Sequence, residues 1–190
     1  MVTAEKPRAG KGFAGKKLTE DELMALPDDG RQYELVDGRA REEPTGARHG
    51  RIGTRLIRLL GTYADPQGEL FASSTGFRMA SGNIRSPDVS YMSRSRLPDG
   101  PLPVGFLDGA PDLAVEIISP SEDEPDMARK VVEYLASGAK QVWQVFPQSR
   151  RVVVYQSLDR VRSYAAEEEL DGGDLLPDFR CKVADLMPEG

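Results

Sequence analysis

Residues 111–121 have the sequence PDLAVEIISPS, which predicts a buried β-strand with a glutamate at its centre. Side chains alternate along a strand, so Leu113, Val115 and Ile117 share one face and Glu116 lies on the other. Both faces are mostly apolar, which is typical of a central strand covered on both sides. An ionised carboxylate is costly there unless it is paired, hydrogen-bonded or bound to a metal ion. Glu116 is therefore a candidate functional residue.

The composition of the chain favours a globular protein of the cytoplasm. It has 190 residues, of which 39% are hydrophobic and 29% are charged, enough for one domain with its own core. No apolar run approaches the roughly 18 residues of a membrane span, and the N-terminus lacks the apolar stretch of a secretory signal. The single cysteine, Cys181, excludes an intrachain disulfide and a cysteine-rich zinc site. We expect a cytoplasmic protein with no membrane partner.

The order of helix and strand signals predicts an α+β fold with a mixed sheet and two principal helices. We expect a flexible tail over residues 1–17 and a single domain over residues 18–187. Asp37-Gly38 predicts a tight hairpin between two strands at 31–36 and 39–43. The remaining predicted helices cover 19–26, 48–64 and 126–137. The remaining predicted strands cover 70–79 and 84–92, joined as a hairpin, then 112–118, 141–146, 151–156 and 162–166, with a loop at 98–109 and a closing segment at 179–187.

Charge is distributed unevenly along the chain. The net charge of −6 speaks weakly against bulk attraction to nucleic acid. Residues 1–60 nevertheless carry 12 Lys and Arg against 10 Asp and Glu, whereas residues 61–190 carry 13 against 21. The helix predicted at 48–64 has one stripe of arginines at positions 48, 51, 55 and 58. Such a stripe is usually a solvated face, but with no acid between Pro44 and Ala64 a phosphate-facing role is the alternative.

Three acids fall inside strand-like apolar runs: Glu34 in YELV, Asp88 in SPDVSYM and Glu116 in LAVEII. Each alone is explained by a partner arginine or a turn, but three in one small sheet suggest that they converge. Two charges roughly 4 Å apart repel by about 4 kcal/mol at an effective dielectric constant of about 20, and a divalent cation offsets that repulsion. Oxygen ligands without cysteine favour Mg²⁺ or Mn²⁺. Asp112 starts its strand after Pro111, so capping of nearby backbone amides explains it better.

Two further residues have both a structural and a chemical explanation. Lys130 lies on or beside the packed face of the helix predicted at 126–137, where its stem could pack while its ammonium reaches water. Beside a carboxylate cluster, the ammonium could instead orient a water and stabilise charge on a phosphate. His49 is the only histidine and falls in the apolar stripe of its helix, where a core role is usual. A hydrolase using His49 and a serine such as Ser119 has little support, since no Gly-x-Ser-x-Gly elbow occurs.

An ordered set of motifs covers residues 18–187. The set comprises YELVDG (33–38), ARHGRI (47–52), SPDVSYM (86–92), DLAVEIISPS (112–121), the Lys130 helix with Tyr134 and Gly138, and QVWQVFP (141–147). In this order the motifs resemble the large bacterial Uma2-type restriction endonuclease family of the PD-(D/E)XK nuclease superfamily. The resemblance implies a restriction-endonuclease-like core of α/β/α-like layers, with a central mixed β-sheet flanked by helices and an additional N-terminal β-hairpin.

The resemblance also implies a metal-dependent phosphodiesterase site. Asp88 matches the aspartate of the "PD" motif and Glu116 matches the second acid, while the carbonyl of Ile117 is expected to complete the metal site. In the superfamily the lysine follows two residues after the second acid, but that position here is Ile118. Lys130, on the next helix, is the position that matches the family's lysine.

Glu34 and His49 match family positions near that site, so we assign them supporting roles. Glu34 is expected to act as an additional ligand or a water-orienting base, and His49 as a hydrogen-bonding or phosphate-side group. Together these residues predict an Mg²⁺- or Mn²⁺-dependent endonuclease that hydrolyses DNA, and a homodimer would suit cleavage of both strands. The alternative is a catalytically inactive nuclease fold that binds nucleic acid or regulates, which Ile118 and the acidic net charge keep open. No base-reading motif indicates a target sequence or separates DNA from RNA.

Overall fold

The computed structural model describes residues 17–27, 31–43, 46–64, 67–120 and 122–187. The tail predicted for residues 1–17 lies outside this range except for Lys17. The helices are α1 (Glu20–Met24), α2 (Ala47–Ala64), α3 (Glu124–Ala136) and α4 (Val183–Leu186), and a 3₁₀ turn covers Arg94–Arg96. The strands are β1 (Gln32–Val36), β2 (Arg39–Glu43), β3 (Gly68–Ala72), β4 (Phe77–Arg78), β5 (Ile84–Arg85), β6 (Val89–Ser93), β7 (Leu107–Asp108), β8 (Leu113–Ile117), β9 (Gln141–Phe146), β10 (Arg151–Tyr155), β11 (Val161–Ala165), β12 (Glu169–Gly172) and β13 (Leu176–Lys182).

The central sheet has six strands in the order β11-β10-β9-β8-β6-β3. Only β8 and β9 pair in parallel, and the other neighbours in this sheet are antiparallel, so the predicted mixed sheet is confirmed. β8 lies inside the sheet and all five of its residues are buried. β8, which contains Glu116, is therefore a central strand covered on both faces.

The two principal helices cover opposite faces of this sheet. α2 contributes Ile52, Leu56 and Leu60 to a core that also contains Val115. α3 contributes Val131 and Tyr134 to a second core on the other face, together with Ala114 and Val142 of the sheet. Because side chains alternate along β8, the odd positions face α2 and the even positions, including Glu116, face α3. The α/β/α-like layering predicted from the sequence is thus present.

A second sheet of five short strands, in the order β2-β1-β5-β4-β7, contains the predicted hairpin. Its turn at Asp37 and Gly38 has positive φ at both residues, of 53° and 77°, as a tight two-residue hairpin requires. The capping box at the start of α1 also forms, since Thr19 and Glu22 each accept a hydrogen bond from the other's backbone amide. Both local predictions are confirmed.

The hairpin predicted between the runs at 70–79 and 84–92 is confirmed, since the two runs pair in antiparallel, but neither run is one continuous strand. Each run divides, so that β3 and β6 pair in the central sheet while β4 and β5 pair in the five-stranded sheet. The break between β5 and β6 falls at Ser86 and Pro87. Pro87 has no amide hydrogen to donate, and the amide of Ser86 is used by a side chain. The sequence reasoning also missed β7, which lies in the predicted loop, and the β12–β13 pair.

None of the helices in the described ranges is long and apolar enough to span a membrane.

Asp112 stands just before β8, at the end opposite Glu116, and its side chain is fully buried. One carboxylate oxygen accepts hydrogen bonds from the backbone amide and the hydroxyl of Ser93, both at 2.8 Å. The other lies 2.9 Å from Lys140 Nζ and 3.2 Å from Arg96 Nη1. Burial alone would raise the pKa of Asp112, but the bonds from Lys140 and Ser93 outweigh it and hold the pKa below its usual value.

We expect Asp112→Asn to lower the free energy of unfolding at neutral pH by about 2 kcal/mol, because a buried charge-assisted network loses its anion. Urea unfolding measures the effect, and Asp178→Asn, an exposed aspartate on β13, is the matched control. The folded-state pKa lies below the unfolded value of about 3.9, so the contribution is complete above that pH and is lost as pH falls through the folded pKa. Equal stability of Asp112→Asn and Asp178→Asn at neutral pH would contradict the expectation.

Candidate active site

Asp88 and Glu116 meet at the end of the β6–β8 strand pair. The antiparallel register sets Val89 opposite Val115, which brings the preceding Asp88 beside Glu116. The backbone amide of Ile117 donates a hydrogen bond of 2.7 Å to Asp88 Oδ2, and this bond fixes the aspartate against the end of β8. The two acids that the sequence singled out are thus brought together, although they are 28 residues apart.

Glu116 is buried and is held from α3. The hydroxyl of Tyr134 donates a hydrogen bond of 2.7 Å to Glu116 Oε1, and Lys130 Nζ lies 3.3 Å from Oε2. Burial is the main cause that raises the pKa of Glu116 to about 8, with Lys130 opposing the rise and the nearby Asp88 adding to it. A carboxyl group with these neighbours is stabilised as an anion by any cation that enters beside it.

Lys130 reaches back from α3 into the same cluster, and only 5% of its side chain is exposed. Its ammonium lies 3.5 Å from Glu43 Oε1 and 3.9 Å from Glu34 Oε2, in addition to Glu116. Burial alone would lower the pKa of Lys130, but the three carboxylates outweigh it, led by Glu116, and raise the pKa above its usual value. The ammonium therefore stays charged.

Glu34 is fully buried, and both of its oxygens have partners. Arg85 Nη1 donates a hydrogen bond of 2.8 Å to Oε2, and the amide of Ser86 donates one of 2.9 Å to Oε1. Arg85 is itself fully buried and also donates to Glu133 Oε2 on α3 at 2.7 Å. Glu34 thus connects the five-stranded sheet to the segment that precedes Asp88. Its Oε2 atom also lies 3.9 Å from Lys130 Nζ.

His49 lies near the N-terminal end of α2, half-buried, with its Nε2 atom 3.1 Å from Asp88 Oδ2. The hydrogen bond to Asp88 is the main cause that raises the pKa of His49, and partial burial opposes it. The histidine therefore faces the aspartate of the cluster rather than serving only as part of the apolar stripe.

Sequence reasoning missed two charged residues of this cluster, Glu43 and Arg85. Glu43 lies on β2, where the polar run RAREE gave no sign of burial, yet burial is the main cause that raises its pKa to about 7. The hairpin register sets Glu43 opposite Gln32, on the face that also carries Glu34. The Asp37-Gly38 turn fixes that register, so it could have revealed Glu43. Arg85 carried no comparable signal.

A small cavity of about 30 Å³ opens beside the two acids. Its lining comprises Gln32, Glu43, His49, Ser86, Asp88, Glu116, Ile117, Ser119 and Glu122. Four of these residues are acids, which makes the cavity a place for a cation or a water rather than for an apolar ligand.

The donor set suits a hard divalent cation. Within the described ranges, no group of three or more His, Cys, Asp and Glu side chains has the geometry of a metal site. Mg²⁺, however, is usually held by one or two carboxylates and keeps several waters. Asp88 and Glu116, with Ile117 beside them on the cavity wall, provide that smaller set. The residues therefore fit Mg²⁺ or Mn²⁺ and do not fit structural zinc, which needs four nitrogen or sulfur ligands.

Residues 20–184 match the model of the Uma2 family, which is described as "Putative restriction endonuclease". The chain belongs to this family. A solved structure is also similar, described as "a putative nuclease belonging to DUF820" from Anabaena variabilis. The two have a TM-score of 0.78 and 21% sequence identity, over 89% of this chain and 97% of that chain. At this identity the likeness shows the fold alone, and it confirms the predicted α+β core. No curated protein matches the chain.

We expect Glu34→Ala to lower the free energy of unfolding by about 3 kcal/mol, because the buried Arg85 loses one of its two carboxylate partners and the Ser86 amide loses its acceptor. Urea unfolding without added metal measures the change. Glu42→Ala, an exposed glutamate on β2, is the control and should change stability by less than about 0.5 kcal/mol. If Glu34 served only as a metal ligand, its removal would leave the metal-free protein at least as stable as the wild type.

Proposed function

We propose that this protein is an endonuclease that uses Mg²⁺ or Mn²⁺ to hydrolyse phosphodiester bonds of DNA. Membership of the Uma2 family supports a nuclease function. The observation that carries the more specific proposal is the meeting of Asp88, Glu116 and Lys130 at the end of one strand pair. Two carboxylates and a charged ammonium in one buried cluster are the groups that phosphodiester hydrolysis requires.

Asp88 and Glu116 would hold the cation, with the carbonyl of Ile117 as the third protein ligand. A divalent cation in this place would supply Lewis-acid stabilisation of the charge that develops on the phosphate. Asp88 is already fixed by the Ile117 amide, and Glu116 by the Tyr134 hydroxyl, so both carboxylates are held in place before a substrate arrives.

Lys130 would orient the attacking water and stabilise negative charge on the phosphate. Its ammonium is held among three carboxylates, which keep it charged and limit its movement. The oxygen of the water forms a bond to phosphorus while the bond from phosphorus to one sugar oxygen breaks. The leaving oxygen takes up a proton as the water loses one.

His49 and Glu34 would have supporting roles. The ring of His49 contacts Asp88 at 3.1 Å and lines the cavity, so in its protonated form it can orient that carboxylate and face the phosphate. Both oxygens of Glu34 already accept hydrogen bonds. These bonds favour a role in positioning Lys130 over direct metal binding.

A second candidate is a catalytically inactive nuclease fold that binds nucleic acid or regulates another protein. It is favoured by the partners of Glu116, whose two oxygens are both engaged, one by Tyr134 and one by Lys130. A cation would have to share these oxygens or displace Lys130. This candidate predicts binding of nucleic acid or of a protein, without cleavage and with little affinity for metal.

The wild-type protein should cleave plasmid DNA in the presence of Mg²⁺ or Mn²⁺ and lose the activity in EDTA. Asp88→Asn, Glu116→Gln and Lys130→Met should each reduce the rate by about 100-fold or more, since each removes a charge from the reacting centre. Gel assays on plasmid, linear and single-stranded DNA measure the rates. Asp178→Asn, Glu69→Gln and Lys182→Met make the same chemical changes at exposed positions and should cleave at wild-type rates. Unchanged activity in all three site variants would remove the proposed site.

Calorimetric titration with Mn²⁺ separates the two candidates directly. The nuclease proposal expects saturable binding to the wild type that Glu116→Gln abolishes, because the cation loses one of its two carboxylates. Glu69→Gln should bind Mn²⁺ as the wild type does. Absence of saturable Mn²⁺ binding, together with retained DNA binding, would favour the inactive fold.

A further inference from the structure

One outer face of α2 carries three arginines that take no part in the site described above. Arg51 and Arg58 are exposed and Arg55 is half-buried, while Ile52 and Leu56 on the opposite side of the helix are buried. Positions 51, 55 and 58 are spaced by four and three residues, so the three side chains share one face. We call Arg51, Arg55 and Arg58 the arginine row.

The arginine row is not neutralised by acids in the described part of the chain. No Asp or Glu in the described ranges lies within ion-pair distance of Arg51, Arg55 or Arg58, and α2 itself contains no acid. Elsewhere in the described ranges, half of the arginines have an acidic partner: Arg31, Arg41, Arg78, Arg85, Arg96, Arg129 and Arg180. A row of like charges without partners is costly by itself, and an anionic ligand relieves that cost. It stands out further in a chain whose net charge is −6.

The surface between the arginines is shaped for close approach. Ala47, Gly50 and Thr54 have small side chains, and they lie between the arginines on an open surface of α2. The hydroxyl of Thr54 donates a hydrogen bond of 2.9 Å to the carbonyl of Gly50, so the Thr54 side chain lies against the helix. A phosphate backbone can therefore lie close to the helix surface with guanidinium groups beside it.

The helix that carries the arginine row also contacts the candidate active site at its first turn. His49, on the first turn of α2, contacts Asp88, and the neighbouring Arg48 donates a hydrogen bond of 3.3 Å to the carbonyl of Pro147 after β9. From Arg51 to Arg58 the helix rises about 10 Å. One DNA strand has a phosphate every 3.4 Å or so along the duplex axis, so the row spans about three phosphates.

We propose that the arginine row binds the phosphate backbone of duplex DNA beside the scissile phosphate, so that α2 delivers the strand to Asp88 and Glu116. This inference rests on the proposed nuclease function for its orientation, since His49 links the helix to the site. It adds the surface through which the substrate is held. Charge complementarity and the absence of acidic partners in the described ranges favour this occupant, and α2 contacts the site through His49.

The salt dependence of DNA binding tests the inference. Anisotropy of a short fluorescein-labelled duplex in EDTA reports binding without cleavage, between about 50 and 200 mM salt. Each lost phosphate contact reduces the slope of log affinity against log salt by about 0.9 for duplex DNA. The double variant Arg51→Gln with Arg58→Gln should therefore have a slope reduced by about 2. The matched control is Arg94→Gln with Arg160→Gln, two exposed arginines at the opposite end of the central sheet, and it should keep the wild-type slope.

Equal slopes for the two double variants would overturn the inference and leave the row as a solvated face. Stronger competition by duplex RNA than by duplex DNA of the same length would overturn the choice of DNA. Failure of the inference and failure of the proposed function are distinguishable. If the protein cleaves plasmid but the two double variants have the same salt slope, the proposed function holds and the inference is wrong. If the protein never cleaves but the salt slope falls only in the double variant of Arg51 and Arg58, the proposed function is wrong and the inference holds.

Discussion

The site depends on the compensation of one buried ammonium by two buried carboxylates and a third that is partly exposed. Lys130 has almost no access to water, and its charge is balanced by Glu116, Glu34 and Glu43, which come from two different sheets. Burying any of these carboxylates without the ammonium would cost desolvation free energy. Burying the ammonium without the carboxylates would cost as much. The positions of β1, β2, β8 and α3 are thus linked through a single nitrogen atom.

β8 explains how the fold combines a core with a polar cluster. Its odd positions face α2 and are apolar, and its even positions face α3, where Tyr134 and Lys130 take up the carboxylate of Glu116. The two helices consequently do different work. The inner side of α2 packs apolar side chains against the sheet, and its outer side carries arginines. α3 instead places polar groups inward against the strand.

Local pattern accounts for what could be predicted from the sequence. Periodicity gave α2, α3 and β8, and the Asp37-Gly38 dipeptide gave the first hairpin, because each of these signals is contained within a few neighbouring residues. The division of the 70–92 region between two sheets depends on Pro87 and on a hydrogen bond from Ser86 to the distant Glu34, so it carried no local signal. Glu43 and Arg85 were missed for the same reason. Their contacts with α3 follow from the packing of the five-stranded sheet against that helix. Glu34, expected as a ligand or base, has its oxygens engaged by Arg85 and Ser86.

The cavity beside Asp88 and Glu116 has a volume of about 30 Å³, above the roughly 10–15 Å³ that a cavity needs to hold one water. A space of that size has room for a water or a small ion and is far smaller than the roughly 300–1,000 Å³ of a pocket that encloses a drug-sized ligand. In the proposed nuclease, a polynucleotide would therefore present its backbone to this cavity rather than a base. Discrimination among nucleotide sequences would come from surfaces outside the cavity, so the proposed chemistry and the choice of target would be separable parts of the molecule.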